Sequence, residues 1–356
     1  MQRSSERLGL YLPDHTWSGS LTPDPNRMKP LKTAILGCGG FARRHAQVLQ
    51  QLPTEVQLVA CCDRNAWKAQ ELSAQYSVGQ AQVFTDHTRM LEATDLDILI
   101  VCLPPYGHTD EVEQAAQRGI HLLIEKPIAL SRDKAWQMVE ASEKAGIKTQ
   151  VGFMYRFGEA LEYLRTLDSG PIGLFSARYF CNALHAPWWR DKEKSGGQLV
   201  EQVIHMFDLM RYLMGEPVTV YAKQANLFHQ QTPGYTVEDV SATIATFPNG
   251  SLGVVYASNG AIPGQWIKDF KLVAQNLTAE FGDTNQARFF FTAQPGVPTQ
   301  TIESSRDLYL AQLQDLIQAI RSGGPTRTPL REGAKSLELV LAARQSAESG
   351  AEVRLA

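Results

Sequence analysis

No stretch of this 356-residue chain stays apolar over the roughly 18–20 residues that a bilayer crossing needs, which argues against a membrane-spanning helix. Charge of one sign is not in excess either. Thirty-four Lys and Arg stand against 37 Asp and Glu, a net of −3, so there is no electrostatic case for nucleic acid or an anionic membrane surface. Cysteine is scarce and odd in number, five in all. Cys38, Cys61, Cys62 and Cys102 fall in or beside expected strands without metal-like spacing. They read as reduced, buried thiols of a cytoplasmic protein, with no metal site. Internal repeats and low-complexity tracts are missing too. What is present is 44% hydrophobic and 20% charged residues, a globular composition with length for two domains.

The first 30 residues carry Pro13, Pro23, Pro25 and Pro30 but no apolar core. They are expected to be a poorly ordered extension, with Met28 as an alternative start. From Leu31 short apolar runs alternate with helical patterns. Strands are expected at Thr33–Leu36, Val56–Cys62, Ile98–Cys102, His121–Ile124 and Thr149–Phe153. Between them lie helices near Phe41–Gln51, Ala66–Gln75, Gly107–Arg118 and Arg132–Ala145. This is the pattern of parallel βαβ units, a Rossmann-type α/β domain over residues 31–153. Residues 154–356 read as a second α/β domain. It has helices at Glu159–Leu167, Gln198–Met214, Leu308–Arg321 and Arg331–Ala347. Several strands follow one another there without intervening helices, among them Ile172–Phe180, Val218–Leu227, Val237–Phe247, Ser251–Ser258, Trp266–Ala274 and Phe289–Thr292. Pro248-Asn249-Gly250 is a hairpin turn, so the sheet is expected to be largely antiparallel and open.

Gly37-Cys38-Gly39-Gly40-Phe41-Ala42 fits the Gly-x-Gly-x-x-Gly/Ala pattern between a strand and a helix. Gly37 permits the tight turn, Gly39 lets a pyrophosphate approach, and the small Ala42 lets helix and strand pack closely. The amides at the start of the helix, around Gly40 and Phe41, can hold phosphates. Asp63 ends the next strand, where a carboxylate accepts both ribose hydroxyls and repels a 2′-phosphate. That favours NAD, while Arg64 beside it would suit the extra phosphate of NADP.

Two features suggest hydride chemistry on a small molecule. Glu125-Lys126-Pro127 follows the run Ile120–Ile124, placing Lys126 at the carboxyl end of a parallel strand, where open α/β sheets bind ligands. The helix Gln198–Met214 is apolar over most of its surface. Its polar residues, Gln198, Glu201, Gln202, His205, Asp208 and Arg211, recur at three- and four-residue steps as one stripe. Read as the wall of a polar cleft, Glu201 and His205 at i, i+4 would let a carboxylate orient an imidazole base.

These residues resemble the Gfo/Idh/MocA family of nicotinamide-dependent oxidoreductases, which act mainly on sugars, inositols and related polyols. The resemblance runs from about Leu31 to the end. It rests on the glycine turn with Asp63, on Cys102-Leu103-Pro104-Pro105 with His108, on Gly119-Ile120-His121 leading to Glu125-Lys126-Pro127, and on Ser195-Gly196-Gly197 through Glu201, His205 and Asp208. It implies a catalytic Lys126, with His205 beside the reacting hydroxyl. Pro104, His108 and Glu125 would line the cofactor, and Arg156 would lie near the nicotinamide. The Lys126–Pro127 bond is expected cis, and the second sheet is expected to carry a homodimer or homotetramer interface. Glu201 replaces the family's usual aspartate and Val203 a common glycine, so no particular substrate can be carried over. Trp188-Trp189-Arg190 reads as a substrate wall, with Trp189 against sugar C–H faces, Arg190 on a carboxylate or hydroxyls, and Asp208 also at the substrate.

The expectation is therefore an NAD(P)-dependent dehydrogenase acting on a carbinol of a sugar, sugar acid or cyclitol. His205 takes the hydroxyl proton and Lys126 bonds the same oxygen, roles that are interchangeable at this stage. Two rivals stay open: an NAD-dependent glycosidase working by oxidation and elimination, and a non-catalytic dinucleotide sensor.

Overall fold

The computed structural model describes residues 29–355. The expected N-terminal extension lies outside the described residues but for Lys29 and Pro30. Six parallel strands form the first sheet, β1 (Leu31–Leu36), β2 (Val56–Cys62), β3 (Gln82–Phe84), β4 (Ile98–Val101), β5 (His121–Ile124) and β6 (Thr149–Val151). Their order is β3-β2-β1-β4-β5-β6, with the chain reversing direction across the sheet at β1 and β4. β1 and β4 are almost wholly buried, as the apolar runs require of a sheet covered on both faces. β3 and the helix His87–Ala93 were not foreseen; three half-wet residues carry no period.

The second sheet has nine strands: β7 (Ile172–Phe180), β8 (Thr219–Ala225), β9 (Val240–Thr246), β10 (Leu252–Ser258), β11 (Phe270–Ala274), β12 (Thr278–Asp283), β13 (Gln286–Phe290), β14 (Gln300–Glu303) and β15 (Val353–Arg354). Its order is β14-β13-β12-β11-β7-β10-β9-β8-β15. All pairings are antiparallel except β7 with β10. One face packs on helices and forms the core around Phe175, Phe270, Leu272 and Phe207. The other face presents Leu174, Tyr221, Ile244, Leu252, Tyr256 and Val273 to solvent.

The helix Leu308–Ser322 returns to the first sheet. Its Leu313, Leu316 and Ile317 pack with Ile35, Ile98, Ile100 and Leu123, and Asp307 pairs with Arg44 at 2.6 Å. The Lys126–Pro127 peptide is cis, as expected. No helix among the described residues is long and apolar enough to cross a membrane.

Candidate active site

At the carboxyl end of β1 the chain turns through Gly37, whose φ of +85° suits glycine. A Cβ there would stand 2.8 Å from the Cys102 carbonyl oxygen, so the turn is closed to larger residues. Gly39 and Gly40 are the opposite case: a Cβ on either meets nothing within 4 Å. They border open space at the start of the helix Gly40–Leu49, whose first turn has no side-chain cap. Uncapped amides beside an open cleft are what a phosphate needs. Ala42 is fully buried and serves packing, as its size suggested.

The Asp63 carboxylate reaches into the loop. Its two oxygens accept from the backbone amides of Cys38 and Asn65, each at 2.8 Å. A cleft of about 730 Å3 runs from this loop past Arg64, Lys68, Pro104 and Tyr106 to Glu125, Lys126, Trp188 and Glu201. The glycine turn, Phe41, Asp63, Arg64, Pro104, Glu125 and Lys126 thus share one cavity. An elongated cleft with open glycines at one end and a lysine at the other fits a dinucleotide. His108 is not on its wall. Its ring is buried with Nδ1 2.6 Å from Glu111, whose carboxyl is driven down to about 2 by the histidine and nearby amides against the opposing cost of burial.

Lys126 and the helix meet at the far end. The segment Leu199–Val203 is a π-helical turn before the α-helix Ile204–Met214, whereas a single α-helix had been expected. Lys126 Nζ donates to the Glu201 carbonyl oxygen at 2.7 Å and to its carboxylate at 2.9 Å. The other carboxylate oxygen accepts from Trp189 Nε1 at 2.5 Å. Glu125 is held by His45 at 2.8 Å, both side chains buried.

The expected Glu201–His205 contact therefore needs correction. The carboxylate is taken by an ammonium, a stronger partner than a neutral imidazole, and by an indole N–H. His205 sits among Tyr155, at 4.8 Å between ring centres, and Phe153, with Nδ1 buried and without a partner. Burial, then the charges of Lys126 and Lys268, push its pKa well below 6.5. The ring is therefore neutral near pH 7, with Nδ1 unengaged.

Four further placements differ from expectation. Asp208 does not face the cleft: it is buried and bidentate to Arg156, at 2.6 and 2.8 Å, with Ser336 at 3.0 Å. Arg156 is correspondingly far from a cofactor role, held also by Glu332 and by the Tyr212 ring. Trp189 is turned inward onto Glu201, and its neighbour Trp188 lines the cleft instead. Arg190 donates to the carbonyls of Leu184 and His185 and holds the loop that carries the tryptophans. Periodicity located the polar face of the helix correctly, but a face says nothing about partners, and two of its six residues, Asp208 and Arg211, pair with the helix Leu330–Ser349.

Sequence reasoning missed Tyr155 and Lys268. Lys268 did leave a signal: it alternates with Phe270 and Leu272, so a charged residue falls on the inward face of the strand segment. All five cysteines are free, and among the described residues no cluster of metal-ligating side chains occurs.

Residues 31–153 match the family model described as "Oxidoreductase family, NAD-binding Rossmann fold". Residues 158–278 match the GFO/IDH/MocA C-terminal domain, and 274–355 the oxidoreductase family's C-terminal alpha/beta domain. The chain is similar to a myo-inositol 2-dehydrogenase of Thermotoga maritima, 28% identical over 91% of this chain and 98% of the relative. It is also similar to a D-apiose dehydrogenase of Paraburkholderia graminis, 29% identical over 92% and 90%. Among solved structures, an aldose-aldose oxidoreductase of Caulobacter crescentus complexed with glycerol superposes with a TM-score of 0.80. It is 25% identical, over 92% of this chain and all of the other.

Proposed function

Because the chain belongs to the Gfo/Idh/MocA family of NAD-binding oxidoreductases, we propose that it oxidises a secondary alcohol of a sugar, sugar acid or cyclitol, reversibly. The observation that carries this reading is the meeting of Lys126, from the first sheet, with the helix bearing Glu201 and His205, at one end of the glycine-lined cleft. Relatives named for inositol, apiose and glucoside oxidation support the substrate class.

The glycine turn, Phe41 and Pro104 would hold NAD, with Asp63 disfavouring a 2′-phosphate. The bound nicotinamide supplies the hydride acceptor. His205, kept neutral by burial, takes the hydroxyl proton. Lys126 donates a hydrogen bond to the same oxygen and stabilises the charge that develops on it. Glu201 positions Lys126 rather than His205, and Trp189 fixes Glu201.

The exposed apolar residues of the second sheet form one contiguous patch, with Leu252 paired to Leu174 and Ile244 to Tyr221. A second copy of the chain is the natural cover. Light scattering should return a dimer or tetramer, and Ile244→Lys should dissociate it. Five free thiols suit the reducing cytoplasm.

The test is NADH formation from a panel of polyols. Lys126→Met and His205→Asn should each lose about 10²- to 10⁴-fold in kcat. Wild-type turnover by either variant on an identified substrate would falsify the assignment. Turnover without net NADH would instead point to glycoside cleavage.

A further inference from the structure

Lys268 is a cation that the chemistry above does not use. Its ammonium stands 5.5 Å from the Trp266 ring centre and 5.7 Å from those of Tyr155 and Tyr179. The adjacent Asp269 is engaged by Arg178. Among the described residues no carboxylate reaches Lys268 at ion-pair distance. Three aromatic faces favour the positive charge but accept none of its N–H donors in full hydrogen bonds.

Tyr155 links the ammonium to the His205 side of the site: it carries Lys268 over its ring and packs against the His205 ring at 4.8 Å. Nearby carboxylates are already spent. Glu201 serves Lys126 and Trp189, Glu125 serves His45, and Asp208 serves Arg156. Lys126 thus has a carboxylate partner in Glu201, whereas the charge of Lys268 has none at ion-pair distance among the described residues. Like charge from Lys126, after burial, works against the charged form of Lys268, with only distant Asp283 and Cys181 opposing. An oxidised nicotinamide would add a further positive charge. A neutral polyol leaves this excess standing, whereas a carboxylate on the substrate neutralises it and takes up the idle donors.

We propose that Lys268, in its cage of Tyr155, Tyr179 and Trp266, binds a substrate carboxylate, so that this chain prefers sugar acids over neutral polyols. The inference rests on the dehydrogenase reading above and narrows its substrate. Tyr179 and Trp266 would meet the C–H face of the same sugar, and a compact monoanion would give Lys268 a carboxylate partner.

The experiment compares matched probes with NAD+: D-gluconate against D-glucitol, and D-glucuronate and D-galacturonate against D-glucose and D-galactose. Wild type, Lys268→Met and Lys268→Arg are measured for kcat/KM and, separately, for thermal stabilisation of the NAD+-loaded protein by each probe. Wild type should favour an acid over its neutral partner. Lys268→Met should lower the acid-to-neutral ratio by roughly 10- to 100-fold, the worth of one charge-assisted hydrogen bond, chiefly through KM. Lys268→Arg should keep the preference. Equal use of acids and neutral partners by wild type, or an unchanged ratio in Lys268→Met, overturns the inference and leaves the dehydrogenase reading intact. If no probe yields NADH, the dehydrogenase reading has no support. Acid-specific stabilisation of wild type that is lost in Lys268→Met would then still uphold the anion site, and its absence would overturn the inference as well.

Discussion

Replacing Asp208 by Asn separates a structural role from the substrate role suggested by its place in the polar stripe. The native carboxylate accepts Arg156 Nε at 2.8 Å, Arg156 Nη2 at 2.6 Å and Ser336 Oγ at 3.0 Å, with both charged side chains at most 3% exposed. An amide of the same shape has one acceptor oxygen. Its NH2 would face a guanidinium N–H, so one charge-assisted bond is lost and two donors are opposed, about 1.5–3 kcal/mol for the bond alone. Arg156 also loses the charge that offset its burial, although Glu332 at 3.0 Å keeps part of it. Breaking a buried pair typically costs about 3–5 kcal/mol, and the remaining partner puts this case near 3. For a chain of this size that lowers the thermal midpoint by roughly 6 °C, taking the lower end of the usual slope. Scanning calorimetry would measure it, alongside NADH formation on the best substrate. The expected pattern is a clear loss of stability with kcat/KM within about tenfold of wild type. A variant that melts like wild type yet loses more than about 100-fold in turnover would refute the reasoning and return Asp208 to the substrate.

Four further outcomes follow from the geometry. His205 is held neutral in the fold, whereas an exposed imidazole takes a proton near 6.5. Below that pH the unfolded state binds more protons, so stability falls as pH falls, by up to about 1.4 kcal/mol per unit for this ring. His121 and His185 are also pushed down by burial and add the same sign. His205→Asn should flatten the acid limb of a midpoint-versus-pH curve, and an identical slope would contradict the neutral ring. Glu201→Gln removes the negative charge beside Lys126 and leaves one amide oxygen where Lys126 and the Trp189 N–H each had a carboxylate oxygen, besides the backbone carbonyl at 2.7 Å; kcat should fall about 10- to 100-fold with NAD+ affinity, by titration calorimetry, changed less than threefold. Gly37→Ala should lose at least about 2 kcal/mol by thermal unfolding, since its φ is positive and its Cβ would strike the Cys102 carbonyl. Gly39→Ala should keep its stability yet bind NAD+ at least about tenfold more weakly, because its Cβ would project into space that only a ligand fills.

The strands of the first sheet were readable because burial on both faces leaves continuous apolar runs, with Ile98–Val101 the plainest. β3 was not, since three residues paired on one side carry no pattern. In the second sheet β12 to β14 were largely missed: Thr278–Asp283 and Gln300–Glu303 expose much of their surface, and only the register of their neighbours makes them strands. At the site, residues tied to a local backbone shape, such as Gly37 and the peptide after Lys126, were legible. Residues whose role depends on a distant partner were not. Asp208 and Arg156 are 52 positions apart, and nothing in either neighbourhood announces the other. Glu201 went to Lys126, 75 positions away, in preference to the histidine one turn along.

The helix that begins after Asp307 gives the chain an interlaced construction. Asp307 caps its own helix through Tyr309 and Leu310 while gripping Arg44 on the helix that opens at the glycine turn. The nucleotide half is therefore finished by residues translated some 150 positions after its last strand. A fragment ending near Phe153 would carry an uncovered flank where Leu313, Leu316 and Ile317 belong. Exchanging substrate halves between relatives by a single crossover at that point would break this seam, and a chimera should keep both segments from one parent.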